Sequence, residues 1–139
     1  DLKIGYDADR LTVHAGALSD EIRAFDAELD KAPPGRRYLL EKKRAVLVAA
    51  QLTDVARREA IALLDRLEPV AREVRTLPLP RTDRDLPVVL HAALLLDRQA
   101  APAVSDRVTG RGEELRRVGI SVDWSGPWAP YRFLRHADD

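Results

Sequence analysis

The chain has 139 residues, of which 33% are charged and 45% hydrophobic, and its Lys and Arg balance its Asp and Glu to a formal net charge of zero. That length suffices for one domain with an ordinary core, and the charge balance supplies no field to draw the chain onto nucleic acid or an anionic membrane. The absence of cysteine excludes disulfides, thiolate metal sites and cysteine nucleophiles, and makes a cytosolic location the natural reading. No apolar run approaches the roughly 20 residues that span a bilayer, and the longest, residues 88–96, contains His91.

At the start of the chain Leu2, Ile4 and Tyr6 alternate with Lys3, Gly5 and Asp7, the period of a half-buried strand. Ser19-Asp20-Glu21 reads as a helix start with acidic residues in its first turn, and Ile22, Phe25 and Leu29 follow at helical spacing. Pro33-Pro34-Gly35 ends this helix in a tight connection. From 36 to 74 the pattern is helical with a heptad grain: Leu39, Val46, Thr53, Ala60, Leu67 and Val74 recur at one interval, as do Ala49, Ala56, Leu63 and Val70. Arg44, Gln51, Arg58, Asp65 and Arg72 mark the expected wet face, while Leu40, Leu47, Val48, Val55 and Leu64 widen the apolar stripe. Such a stripe suits pairing within the chain, against the 19–32 helix, or self-association between two copies, and periodicity does not choose. Pro69 should kink or interrupt the helix because it lacks the backbone donor.

Residues 76–85 form a Pro- and charge-rich linker, and 88–96 read as a buried strand. Pro102 in a first turn, then Val104, Val108 and Leu115, predict a short helix that Gly110 and Gly112 weaken and Gly119 closes. Ile120, Val122 and Trp124 alternate with Ser121, Asp123 and Ser125 as the last strand. A right-handed crossover between these two strands leaves a gap into which the 2–6 strand fits antiparallel. The expected architecture is therefore α+β: a ferredoxin-like half of three short strands with a long helical hairpin or coiled-coil-like insertion. It is read as one unit over 1–139, with the hairpin at 19–76 and a strand-helix-strand at 86–134.

Catalytic chemistry finds little footing. His14, His91 and His136 have no metal-ligand spacing, and His91 inside an apolar strand reads as a hydrogen-bonded core or interface histidine. Gly110-Arg111-Gly112 is too short for a phosphate loop, and the serines lack a nucleophile-elbow context. Glu113-Glu114 and Asp138-Asp139 read as solvated charge. The expectation is a non-enzyme with no catalytic residue, no metal and no cofactor. The alternative from another class is a ferredoxin-like regulatory module that binds a small molecule between sheet and hairpin.

Aromatic surface is concentrated at the end of the chain, in a protein only 5% aromatic. After the last strand comes Gly126-Pro127-Trp128-Ala129-Pro130-Tyr131-Arg132-Phe133, in which two prolines remove donors and hold their preceding residues extended. This stiff hook can cap the end of a sheet, or serve as a partner-binding anchor, since Trp and Tyr in a preorganised loop are frequent hot spots. Gly-Pro-Trp-x-Pro-Tyr-x-Phe after a strand resembles the C-terminal signature of the GvpF/GvpL family of gas vesicle accessory proteins, with Ala129 in place of a proline and Arg132 in place of a serine. Gly35-Arg36-Arg37-Tyr38-Leu39 resembles the family's Gly-x-x-Tyr-Leu opening of a long charged helix. His91 and Leu94 depart from the family's usual Asn and aromatic residue in the 91–96 strand.

The resemblance runs from about Gly35 to Phe133. It implies a non-enzymatic accessory of gas vesicle assembly that binds the small hydrophobic shell protein and other accessory proteins, located at the gas vesicle or in the cytoplasm, with no nucleic acid or membrane partner. The family's usual amino-terminal domain is missing from this stretch, and the absence of Met favours a fragment or processed chain. The residues expected to meet a partner are Trp128, Pro130, Tyr131 and Phe133 of the hook and Arg36, Arg37 and Tyr38 at the start of the long helix.

Overall fold

The structure, a computed structural model, describes residues 1–80 and 86–126. Strands β1 (Leu2–Tyr6), β2 (Glu73–Thr76), β3 (Val88–Leu95) and β4 (Ile120–Trp124) form one sheet in the order β2-β3-β1-β4, with every neighbouring pair antiparallel. Helices α1 (Ala8–His14), α2 (Asp20–Lys31), α3 (Pro34–Leu67) and α4 (Ala101–Arg117) accompany it, with short 3-10 turns at Ala15–Ala17 and Glu68–Val70. As the crossover argument requires, β1 occupies the gap between β3 and β4, and α4 links those two strands.

Register decides which residues face the helices. Leu2 and Ile4 of β1 stand beside Ala92 and Leu90 of β3 on one side and beside Trp124 and Val122 of β4 on the other. This face joins Val55, Ala56, Ala60, Leu63, Leu64 and Leu67 of α3 and Val104, Val108 and Leu115 of α4 in one core. Ile4 pairs with Leu90 and Gly5 with Val88, which makes Val89 the extra residue of a bulge, and Val89 is buried in the same core. The opposite face carries Lys3 in register with His91 and Asp123.

The sheet has a strand more than the three expected, and the helix is correspondingly shorter. Pro69 does interrupt the helical pattern: α3 ends at Leu67, a 3-10 turn runs Glu68–Val70, and Val70 and Val74 leave the heptad row. Glu73–Thr76 then pairs with β3, extended by Arg72 N–H donating to the Leu95 carbonyl at 2.8 Å and Leu77 N–H to the His91 carbonyl at 2.8 Å. Thr76 thus belongs to a strand, not to the linker. Helix α1 was not read from the sequence. Asp7 caps it by accepting from the amides of Asp9 and Arg10, and Leu11 is its one buried residue.

Helices α2 and α3 form the expected hairpin, but the turn is tighter than the Pro-Pro-Gly triplet suggests. Pro34 is already the first residue of α3, where a missing N–H costs nothing, and only Ala32 and Pro33 connect the helices. Ser19 caps α2, its Oγ accepting from Ile22 N–H at 3.3 Å, and the residue is buried. Ser19→Ala should lower the unfolding free energy by about 1 kcal/mol. Urea unfolding followed by circular dichroism measures this, and an unchanged midpoint would show that the cap contributes nothing.

The hairpin corrects the expected wet face. Arg44 and Gln51 point at α2, not at solvent: Arg44 is paired with Asp26, and its Nη1 donates to the Thr12 carbonyl at 3.0 Å, while Gln51 Nε2 donates to Glu21 at 2.8 Å. They lie in the same row as Leu40 and Val48, which are buried, and beside Leu47. A polar residue in such a row looks solvated in a sequence because its partner carboxylate lies on another helix. Arg44 ties α1, α2 and α3 together through these contacts.

Candidate functional site

Of the expected partner-binding residues, Arg36, Arg37 and Tyr38 lie among the described residues, near the start of α3. Tyr6, at the end of β1, places its hydroxyl 2.9 Å from Thr53 Oγ1 and so marks where α3 passes the edge of the sheet. From Thr53 back to Tyr38 the helix runs on for about 22 Å, accompanied by α2. The other end of the sheet holds the start of β1 and the end of β4: the Asp1 amino group donates to the Ser125 carbonyl at 2.7 Å and Ser125 N–H to the Asp1 carbonyl at 3.0 Å. Gly126, with a φ of 127°, is the last described residue there. Trp128, Pro130, Tyr131 and Phe133 lie outside the described residues.

At the hairpin tip, Tyr38 is 59% exposed and its ring lies 4.6 Å beneath the Lys42 ammonium. Arg37 reaches Asp30 at 3.6 Å and Glu41 at 3.8 Å. Exposed pairs of this length contribute at most about 1 kcal/mol, so they leave Arg37 able to exchange one carboxylate for another. Arg36 is exposed beside them. The tip therefore offers a cationic surface with an aromatic ring, held out from the sheet on the helical hairpin.

Among the described residues, those weighed for catalysis lie apart from one another. His91 Nδ1 stands 3.2 Å from the Pro78 carbonyl and its Nε2 lies 3.8 Å from Asp1 Oδ2, the contacts of a packed histidine on a strand. His14 ends α1, exposed. Glu114 is held by Arg111 Nη1 at 2.6 Å, and Arg111 Nη2 donates to Glu59 at 3.0 Å, which links α4 to α3. Beside this link a groove of about 400 Å³ runs between α3 and α4, lined by Leu63, Arg66, Leu67, Arg107 and Arg111. Among the described residues no cluster of His, Asp and Glu is arranged to hold a metal ion, and no helix is long and apolar enough to cross a membrane.

Sequence reasoning missed two features that shape the tip. The Arg44 to Asp26 contact, which fixes α2 against α3, was hidden by the reading of Arg44 as solvated. Leu39 and Val46, expected in a packed seam, are 59% and 73% exposed. The heptad row itself was legible; that its first half extends past the sheet was not.

The fold matches that of a protein known from crystallography. Gas vesicle protein GvpF from Anabaena sp. PCC7120 superposes over 98% of this chain and 53% of its own, with a TM-score of 0.62 and 18% identity. In sequence, Gas vesicle protein L2 of Halobacterium salinarum is 29% identical over 133 residues, which cover 92% of this chain and 47% of the relative. The chain thus spans about half the length of the relatives it matches. A family model described as Gas vesicle synthesis protein GvpL/GvpF matches residues 1–135. With that match running across nearly every residue and the sheet and hairpin arranged as in a GvpF structure, the chain belongs to the GvpL/GvpF family of gas vesicle synthesis proteins.

Proposed function

We propose that this chain is a non-enzymatic accessory of gas vesicle formation, corresponding to the C-terminal part of its family, that binds the small hydrophobic shell protein and other accessory proteins in the cytoplasm or at the growing vesicle. The observation that carries this reading is the family match over residues 1–135. The physical requirement is a surface that can hold an apolar polypeptide before it polymerises, and an aromatic anchor on a stiff segment meets it. Trp128, Pro130, Tyr131 and Phe133 supply the aromatic anchor in the sequence. Arg36, Arg37 and Tyr38 present a second contact surface at the hairpin tip.

Co-expression with the small gas vesicle shell protein of the same genome, followed by pull-down and a measure of soluble shell protein, tests the reading. Specific capture is expected, weakened at least tenfold by Trp128→Ala or Tyr131→Ala, a loss of about 1.4 kcal/mol or more. Absence of capture between two folded, soluble proteins would overturn shell-protein binding by this chain.

A further inference from the structure

The face of α3 that packs on the sheet does not stop where the sheet stops. Leu39, Val46, Thr53, Ala60 and Leu67 lie one heptad apart, and on a straight helix such positions drift by about 20° per heptad, about 80° from Leu39 to Leu67, so they stay within one broad apolar stripe. Ala60 and Leu67 are fully buried in the core, whereas Leu39 and Val46 are 59% and 73% exposed. The Tyr6 contact to Thr53 is the boundary between the two halves. Beyond it α3 overhangs for about 28 Å, back to Pro34. The opposite side of this overhang is already taken by α2, through Leu40, Val48, Arg44 and Gln51. Folding back onto the hairpin therefore cannot cover the outer row. Scattered exposed apolar residues are ordinary; a row in register with a buried one is a continued interface.

Charge narrows what would cover it. Glu41 is the only acidic residue from 34 to 53, and it lies toward Arg37 on the α2 side. Arg37 and Arg44 are engaged by Asp30, Glu41 and Asp26 within the hairpin. Arg36, Lys42 and Lys43 are exposed on or beside the outer row, with Ala45, Ala49 and Ala50 small enough to let another backbone approach. A second copy packed through this row would bring the same three cations to it and no carboxylate beyond Glu41, so positive charge would gather without an acidic partner.

We propose that the overhanging outer face of α3, with Tyr38, Leu39, Val46 and Ala49 along it and Arg36, Lys42 and Lys43 beside it, docks an amphipathic helix of a partner protein whose apolar row is flanked by carboxylates. The partner's apolar residues at helical spacing extend the row that the sheet covers farther along α3, and its acidic flanks meet the three cations. The proposal shares Arg36 and Tyr38 with the contact surface of the gas vesicle reading, but it rests on the geometry and charge of α3 and is tested without the shell protein.

The test uses the whole chain and two fluorescent helical peptides of equal length with the same Leu heptads, one flanked by Glu and one by Lys, titrated by anisotropy. The expected result is saturable binding of the Glu peptide, about tenfold or more tighter than the Lys peptide and weakened by raising salt. Val46→Glu, at a position too exposed to unfold the protein, should abolish it, and the pair Lys42→Glu with Lys43→Glu should invert the preference toward the Lys peptide. Equal binding of both peptides, no binding of either by the folded chain, or preference unchanged on charge reversal would overturn the proposal. So would a concentration-dependent dimer in sedimentation that Val46→Glu dissolves, since a second copy would then own the face.

Discussion

Gly119→Val should destabilise the protein by about 3 to 5 kcal/mol, a large part of the 5 to 15 kcal/mol that holds an ordinary domain together. Gly119 has a φ of 96°, which a β-branched residue adopts only with strain. A side chain would also meet backbone: an added Cβ would stand 2.5 Å from the Leu11 nitrogen and 2.9 Å from the Arg10 carbonyl carbon. Neither atom can turn aside as a flexible side chain could. The start of α1 is bound to the same turn by Asp7 N–H donating to the Gly119 carbonyl at 2.8 Å, so relief of the clash would separate α1 from the end of α4. Chemical denaturation of the variant against the parent measures the loss. A change below about 1 kcal/mol would show that α1 is not seated on this turn.

Leu67→Ala should cost about 3 kcal/mol, within the range for a fully buried leucine, while Leu39→Ala should leave stability within about 0.5 kcal/mol of the parent. The two leucines occupy the same heptad position on one helix. Leu67 is fully buried beneath the sheet, and Leu39 is 59% exposed on the overhang. Cavity formation at Leu67 removes contacts that the surrounding strands cannot close up to replace. Thermal or urea unfolding of both variants decides the matter, and equal losses would mean that the outer row is covered in the isolated chain.

Much of the architecture was legible because its signals are local. Alternation in Leu2, Ile4 and Tyr6 and in Ile120, Val122 and Trp124, with Pro102 opening α4 and Gly119 closing it, located β1, β4 and α4. Handedness of the crossover then placed β1 between β3 and β4. Strand β2 was illegible because Val74 is its only apolar residue and its extended form comes from pairing with β3. Helix α1 escaped notice for a similar reason: a short helix with one buried residue has no period to read.

Of the candidate site, the composition of the hook and of the Arg36 to Tyr38 segment of α3 could be read directly, because aromatic and cationic residues concentrated in a neutral chain poor in aromatics stand out without any geometry. The heptad row from Leu39 to Leu67 was equally a property of the sequence, since the spacing of apolar residues alone puts them on one face of a helix. Which part of that row is core and which is surface was decided by tertiary structure. The sheet ends at Tyr6, opposite Thr53, so identical spacing yields burial on one side of that contact and exposure on the other. Likewise Arg44 became a clamp between helices only when α2 folded back and set Asp26 against it, for a charge is solvated or paired according to what the fold brings near, and its own sequence neighbours do not record that.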